Sequence, residues 1–284
     1  MEGAGSVEVV HGNRQVEWGP DGPAAGGYVR HVSDLPTVAV PGGRVEYDDV
    51  LGDRDRAPLL FLHEGLGSVA LWRGWHRRIA EATGRRAVAY SRLGHGFSDL
   101  PPAPRTTHFM HAEAAEVLPA LREALGLAAP VLIGHSDGAS IALLHAAAFD
   151  VPGLVVLAPH VFAEDLGLVG VRAARDAYVG GDLRTRMARR HRDPDTTFHN
   201  WNDVWLHPDF LGWDLRPELA GITCPVLAIQ GTDDPYGTVA HVEAVRDAAR
   251  GPVELLVMDC GHSPHLEAPA AATTAVLGYL DTAP

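Results

Sequence analysis

The sequence predicts an α/β fold, in which helices flank a mostly parallel central sheet and a helical segment is inserted between two strands. Three observations support this prediction. Short, almost wholly apolar segments alternate with segments of helical length from Thr37 onward. Such apolar strands are typical of a parallel sheet that is buried on both faces. The alternation stops over residues 161–222, which contain no convincing strand pattern.

The predicted elements follow one another in a regular order along the chain. A hairpin is predicted over residues 37–50, around the turn Pro41-Gly42-Gly43. Buried strands are predicted in APLLFLHEG, RAVAYSRLG, PVLIGHS, GLVVLAPH, CPVLAIQGTDD and VELLVMDCGH. Helices are predicted in WRGWHRRIAEAT, HAEAAEVLPALREALG, SDGASIALLHAAAF, HVEAVRDAAR and AAATTAVLGYL.

This order divides the chain into three parts. We expect an α/β core made of residues 35–160 and 223–284, with a helical cap at residues 161–222. Residues 1–34 are rich in glycine, proline and polar residues and are predicted to be a loosely packed extension. Within them, EVVHGNRQVEW is compatible with a small hairpin.

Composition excludes several classes of function. The 284-residue chain carries 36 acidic against 23 basic residues, a formal net charge of −13, which argues against nucleic-acid and anionic membrane partners. The two cysteines, Cys224 and Cys260, are too few for a disulfide framework or a four-cysteine zinc site, and we expect both to be reduced. No signal peptide or membrane-spanning segment is evident, which favours a cytoplasmic protein that acts on a small molecule.

The segment Gly134-His135-Ser136-Asp137-Gly138 lies between a predicted strand and a predicted helix. It matches the pattern G-x-S-x-G, in which serine occupies a strained turn above the carboxyl edge of the sheet. Small flanking residues are required there because side chains would collide with the adjacent strand and helix. The backbone N–H of Asp137 would then point at an oxyanion formed by attack of Ser136.

A serine hydroxyl needs a base to remove its proton and an acid to orient that base. Candidates occur in the order that this fold requires. Asp233 and Asp234 end one strand, and His262 and His265 follow the next.

Taken together, these pieces resemble a known family. LHEGLGS, YSRLGHGFSD, GHSDG, GTDDP and GHSPHLE occur in the family's order. From about Thr37 to Leu280 the chain resembles the α/β-hydrolase superfamily, specifically its cap-bearing esterase and C–C hydrolase branch. The resemblance implies an α/β-hydrolase fold, no cofactor and no metal. It leaves the choice between monomer and homodimer open.

The resemblance also implies roles for individual residues. Ser136 would be the nucleophile, Asp234 the triad acid with Asp233 as the alternative, and His262 the base. His265 would pack beside the site. Backbone N–H groups of Asp137 and Gly65 would form the oxyanion hole, with Leu66 as the alternative to Gly65. The motifs around His95 and His135 imply scaffold positions for these two histidines.

The predicted substrate pocket contains residues from two segments. One is the loop His63-Glu64-Gly65-Leu66-Gly67-Ser68, called the oxyanion loop because it would supply the N–H of Gly65 or Leu66, and the other is the cap. His63 and Glu64 begin the loop, and the family more often has glycine where this chain has Glu64. We expect Glu64 to turn outward or to anchor the loop; the alternative is an extra carboxylate at the pocket. Five aromatic residues lie in the cap segment FHNWNDVWLHPDFLGWD, namely Phe198, Trp201, Trp205, Phe210 and Trp213. We expect most of them to form the cap's core and one or two, such as Trp201 and Trp205, to face the substrate.

These residues predict a serine hydrolase that cleaves a small carboxylic ester or thioester with a hydrophobic or aromatic acyl group. A C–C bond hydrolase of aromatic degradation would use the same residues and is the alternative within the class. A lyase, a cyclase or a ligand receptor that keeps the fold is the alternative from another class, because fold does not fix function. Haloalkane dehalogenase and epoxide hydrolase are disfavoured, because those branches carry aspartate where this chain has Ser136.

Overall fold

The computed structural model describes residues 35–282, so the predicted extension and its small hairpin lie outside the described residues. One eight-stranded sheet runs through this part of the chain in the order β1-β2-β4-β3-β5-β6-β7-β8. Its strands are β1 (Thr37–Val40), β2 (Gly43–Val50), β3 (Leu59–Leu62), β4 (Ala87–Tyr90), β5 (Val131–His135), β6 (Leu154–Leu157), β7 (Val226–Gly231) and β8 (Val253–Met258). The pairs β1–β2 and β2–β4 are antiparallel, and all the other pairs are parallel. The mostly parallel sheet is therefore confirmed.

Helices cover both faces of this sheet, and others form the segment between β6 and β7. They are α1 (Trp75–Thr83), α2 (Phe109–Ala112), α3 (Leu118–Ala124), α4 (Asp137–Ala148), α5 (Asp165–Gly180), α6 (Leu183–Met187), α7 (Pro194–Trp205), α8 (Arg216–Leu219), α9 (Ala240–Ala248), α10 (Pro264–Glu267) and α11 (Pro269–Thr282). A π-helical turn, Glu113–Val117, joins α2 to α3. Two short 3₁₀ helices lie at Val69–Trp72 and Pro208–Gly212.

The alternation of side chains along each strand creates two separate apolar layers. In β3, Leu60 and Leu62 pack on one face with residues of α4 and α9. Leu59 and Phe61 pack on the other face with residues of α1 and α11. Because successive side chains of a strand point to opposite faces, a wholly apolar strand must be covered on both sides.

Two predicted helices differ from the observed ones in their bounds. The helix predicted from Trp72 begins at Trp75, because Arg73 and Gly74 both have positive φ angles, of 48° and 75°. The helix predicted from His111 begins at Phe109 and contains the π-helical turn. The segment between β6 and β7 carries α5 to α8, which confirms a helical insertion. A backbone bridge between Phe162 and Asp214 joins its two ends. The division of the chain into domains stays a prediction.

The turn from β5 into α4 depends on close backbone contacts. A methyl group on Gly138 would overlap the carbonyl oxygens of Leu62 and His63, where β3 ends. A methyl group on Gly134 would lie 2.5 Å from the Cα atom of Ala139. The first turn of α4 therefore rests directly on the backbone that leaves β3, and only glycine permits this distance.

We predict that Gly138→Ala lowers the free energy of unfolding by about 1–3 kcal/mol, because the added methyl group meets fixed backbone atoms. Urea unfolding measures this loss. Gly180→Ala is the matched control, because Gly180 also lies in a helix but has open space around it. The control should be neutral or slightly stabilising. Equal stability of the two variants would contradict the close contact.

Candidate active site

Ser136 lies at the tip of the turn between β5 and α4 with a strained backbone. Its φ and ψ angles are 53° and −122°, in a region that residues with a side chain seldom adopt. Neighbouring hydrogen bonds hold this conformation: the Ser136 N–H donates to the carbonyl of Leu157 (2.9 Å), and its carbonyl accepts from Ala139 (2.8 Å). The structure thus stabilises a strained serine at the carboxyl edge of the sheet, as at a nucleophile elbow.

Asp234 and His262 form a hydrogen-bonded pair beside this turn. The His262 Nδ1 atom lies 2.8 Å from the Asp234 Oδ2 atom. The same carboxylate accepts from the Gln230 amide and from the Tyr236 N–H, both at 2.8 Å. Burial would raise the pKa of Asp234, but His262 and the Tyr236 N–H outweigh burial and lower it. Asp234 is therefore ionised at neutral pH, and it orients His262 with the proton on Nδ1 and Nε2 free to act as a base.

The two candidate acids occupy different environments. Asp234 is buried and contacts His262, whereas Asp233 is exposed at the surface. His262 is also held by its backbone, because its carbonyl accepts from the Nε2 atom of His135 at 2.8 Å. His135 is buried below the site, in the scaffold position that the sequence suggests.

Two buried side chains fix the loop that follows β3. The Arg92 guanidinium donates to the carbonyls of His63 (2.5 Å) and Glu64 (2.8 Å). The Nε2 atom of His95 lies 2.9 Å from the carbonyl of Gly65. All peptide bonds in residues 35–282 are trans. The carbonyl and the N–H of a trans peptide point in opposite directions. Arg92 and His95 therefore turn the N–H groups of Gly65 and Leu66 away from themselves.

These two N–H groups are suited to bind a negatively charged oxygen. Gly65 and Leu66 both line the cavity beside Ser136, and within residues 35–282 neither N–H donates to another group of the protein. Asp137 is the first residue of α4, so its N–H has no partner inside the helix. A methyl group on Gly65 would overlap the ring of Trp201, which explains the glycine at this position. Gly65, Leu66 and Asp137 all line the cavity beside Ser136. That their N–H groups form an oxyanion hole stays a prediction.

The cavity has an empty volume of about 480 Å³ and is mostly apolar. Its lining consists of Glu64, Gly65, Leu66, Ser136, Asp137, His160, Gly167, Val171, Trp201, Trp205, Tyr236 and His262. Ser136 and His262 thus open into one cavity. Of the five aromatic residues in the segment FHNWNDVWLHPDFLGWD, Trp201 and Trp205 line it. The other three are packed in the core, where Phe210 stacks on Trp213 with ring centroids 5.0 Å apart.

The structure corrects one expected pocket residue and decides the position of another. His63 is fully buried and does not line the cavity: its Nδ1 contacts the carbonyl of Glu64 (2.7 Å) and its Nε2 accepts from the Arg92 N–H (3.0 Å). Both ring nitrogens of His63 are hydrogen-bonded to backbone groups, so neither is available to bind a substrate. Glu64 does line the cavity, as the alternative of a carboxylate at the pocket predicts, and its Oε2 atom lies 3.6 Å from Nδ1 of His135. Burial would raise the pKa of Glu64, but His135 and the loop backbone lower it to about 2.

A family model for the alpha/beta hydrolase family matches residues 59–276 of this chain. The chain belongs to the α/β hydrolase family. A non-heme chloroperoxidase of Streptomyces lividans is 30% identical over 239 residues, 72% of this chain and 84% of the relative. A proline iminopeptidase of Lactobacillus delbrueckii subsp. lactis is 36% identical over 100 residues, 35% of this chain. That match spans only 34% of the iminopeptidase.

Solved structures of other proteins show the same fold. The enol-lactonase of Burkholderia xenovorans LB400 superposes with a TM-score of 0.68 at 22% identity and covers 87% of this chain and 100% of its own. An esterase of Exiguobacterium antarcticum superposes with a TM-score of 0.65 at 18% identity, covering 87% of this chain and 99% of its own. These similarities confirm the α/β-hydrolase fold.

Other predicted positions in this α/β hydrolase lie away from the reacting groups. His265 is buried and packs on Trp72 and Trp75, with ring centroids 5.0 and 5.3 Å away. Cys224 and Cys260 are free thiols, and burial raises the pKa of each to about 11.

Among residues 35–282, no three His, Cys, Asp or Glu side chains are grouped to hold a metal ion. In the same range, no helix combines the length and apolarity needed to cross a membrane.

Sequence reasoning missed three groups that contribute to the site. Gln230 supports Asp234, Arg92 fixes the oxyanion loop, and His160 lines the cavity. Each of them lies near the carboxyl end of a strand or follows that end. This position was the signal in the sequence that could have identified them as site residues. The partners of Arg92 and His160 lie on other elements of the chain, and the motif around Arg92 indicated only a structural turn.

We predict that Arg92→Lys slows covalent labelling of Ser136 by a fluorophosphonate by about 10–100-fold. Lysine keeps the charge but loses the paired geometry on two carbonyls, and small misplacements near a reacting centre have costs of this size. The labelling rate is read by mass spectrometry. Arg172→Lys is the control, because Arg172 is exposed on α5. A cooperatively folded Arg92→Lys protein that labels at the wild-type rate would contradict this role.

Proposed function

We propose that this protein is a serine hydrolase that cleaves small carboxylic esters or thioesters through a covalent acyl-enzyme. One observation carries the proposal: the Asp234–His262 hydrogen bond of 2.8 Å lies beside a strained Ser136 in the wall of one cavity. Nucleophile, base and orienting acid are the three parts that activation of a serine requires. Family membership supports a hydrolase.

The first half of the reaction acylates the serine. The Nε2 atom of His262 takes the proton of Ser136, and the serine oxygen attacks the carbonyl carbon of the substrate. The oxyanion that forms accepts hydrogen bonds from the N–H groups of Asp137 and of Gly65 or Leu66. As the carbon–oxygen or carbon–sulfur bond to the leaving group breaks, His262 donates its proton to that group. Asp234 stabilises the imidazolium throughout.

The second half releases the acid. Water enters, His262 takes one of its protons, and the hydroxide attacks the acyl carbon. Collapse of the second oxyanion breaks the bond to Ser136, which recovers its proton from His262. Overall, one ester and one water give one acid and one alcohol. A thioester gives one acid and one thiol.

The cavity supports a small acyl group with apolar character. Leu66, Val171, Trp201, Trp205 and Tyr236 form most of its wall, and its volume suits a ligand of modest size. The solved enol-lactonase and esterase share this fold, and their names describe the cleavage of carboxylic esters. We therefore favour an ester with a hydrophobic or aromatic acyl group over C–C bond cleavage or a ligand receptor.

We predict that wild-type protein releases acid from a panel of esters and thioesters with short, long and aromatic acyl groups. Ser136→Ala should lower kcat by about 10⁴-fold or more, because no acyl-enzyme can form. Trapping of the acyl group on Ser136, detected by mass spectrometry, would establish the covalent step. Turnover that survives in Ser136→Ala would contradict this mechanism. Absence of turnover with the whole panel would favour C–C cleavage, a lyase or a receptor.

We predict that Asp234→Asn lowers kcat by about 10⁴-fold, because asparagine no longer fixes the proton on Nδ1 of His262. Asp233→Asn is the matched control: it removes a carboxylate from the adjacent, exposed position and should leave kcat within about twofold. Steady-state kinetics on the best ester of the panel separate the two. The reverse order of effects would assign the acid to Asp233.

A further inference from the structure

Two buried hydrogen-bond acceptors in the cavity wall have no partner. The Oδ2 atom of Asp137 and the Nδ1 atom of His160 make no hydrogen bond within the described residues. Asp137 is 1% exposed and His160 is 5% exposed, and both line the cavity. An unpaired buried polar atom costs about 1–3 kcal/mol, so such atoms are uncommon away from functional sites.

The hydrogen bonds of His160 determine which of its nitrogens is an acceptor. Its Nε2 atom lies 3.1 Å from the carbonyl of Tyr236, so Nε2 carries the proton and Nδ1 presents a lone pair. Burial, with the charges of His241 and His262, lowers the pKa of His160 well below its ordinary value. The ring is therefore neutral at physiological pH, and Nδ1 can only accept.

Asp137 presents its free oxygen toward the oxyanion loop. Its Oδ1 atom accepts from the indole N–H of Trp205 at 3.2 Å, which leaves Oδ2 unpaired. Oδ2 lies 3.1 Å from the point where a methyl group on Gly65 would be. The ring of Trp205 also contacts His160, with centroids 5.1 Å apart. Asp137 and His160 therefore both contact Trp205, in one part of the cavity wall.

The charges around the cavity favour a cation. Glu64 is a second carboxylate in the lining, and no residue that lines the cavity is lysine or arginine. Burial raises the pKa of Asp137, and the nearby Arg92 and Arg105 reduce that rise without reversing it. A protonated amine beside Asp137 would favour its ionised form. Both guanidinium groups donate to loop carbonyls, and neither hydrogen-bonds to Asp137. The aromatic faces of Trp201, Trp205 and Tyr236 are also favourable surfaces for a cation.

We propose that the acyl part of the substrate carries a protonated amine close to the scissile carbonyl, and that Asp137 and His160 bind its N–H groups. This inference rests on the proposed ester hydrolysis. We place the amine on the acyl side because Asp137 and His160 both contact Trp205, which the proposed function assigns to the wall around the acyl group. An ammonium group has three donors, which suits two unpaired acceptors.

The test compares two esters that differ only in the amine. L-Valine benzyl ester carries it, and benzyl 3-methylbutanoate has the same carbon skeleton without it. Release of benzyl alcohol gives kcat/KM for each ester at neutral pH, with Ser136→Ala as the blank. We expect wild-type protein to prefer the amine ester by about 10–100-fold, the range for a hydrogen bond to a charged group. N-acetylation of the valine ester should abolish this preference.

Variants connect the preference to the two acceptors. Asp137→Asn keeps the shape and the backbone N–H but removes the charge, and it should lower the preference about tenfold or more. His160→Phe keeps a ring without the acceptor and should lower it too, which provides a second test should Asp137→Asn not fold. Asp233→Asn, an exposed aspartate on the same edge of the sheet, should retain the wild-type preference.

The outcomes separate this inference from the proposed function. Ser136-dependent cleavage of both esters with no preference for the amine would overturn the inference and leave ester hydrolysis standing. A preference that persists in both Asp137→Asn and His160→Phe would also overturn it. Absence of Ser136-dependent cleavage of either ester would overturn both proposals.

Discussion

The close packing of α4 on the end of β3 is the constraint on which the rest of the site depends. Gly138 rests against the carbonyls of Leu62 and His63, and those residues lead directly into the loop that contains Gly65 and Leu66. One contact therefore sets the distance between two sets of N–H donors, those of the loop and that of Asp137. A side chain at Gly138 would separate them and would displace Ser136 at the same time.

The second requirement is that the oxyanion loop keeps one conformation. Arg92 is fully buried and holds two consecutive carbonyls of the loop, while His95 holds the next. Burying a guanidinium is costly unless its donors are used. Here backbone carbonyls accept from both terminal nitrogens of Arg92, so the charge stabilises one loop conformation instead of pairing with a surface acid. Arg105 and Glu113, 3.3 Å apart, extend this buried charged region behind the cavity.

The sequence was sufficient for the groups whose positions follow from strand order. Asp234 and His262 follow neighbouring parallel strands, so their contact follows from topology once the strands are recognised. It was insufficient where the partner lies on another element. His63 has the right place in the chain for a pocket residue, but its ring turns back to Arg92 and to its own loop. The role of His160 depends on Tyr236, 76 residues away, which no local pattern reveals.

Asp137 combines two opposing roles, and this conflict bears on the choice of substrate. Its backbone N–H would stabilise the oxyanion, while its side-chain carboxyl, once ionised, would repel that charge. Two unit charges 4 Å apart interact by about 4 kcal/mol at the effective dielectric of a protein site. Arg92 and Arg105 offset part of this repulsion. An ammonium group on the acyl chain would offset more of it, and most strongly when the oxyanion has formed. A substrate amine would therefore raise kcat as well as tighten binding, because its attraction to the oxyanion is greatest in the transition state.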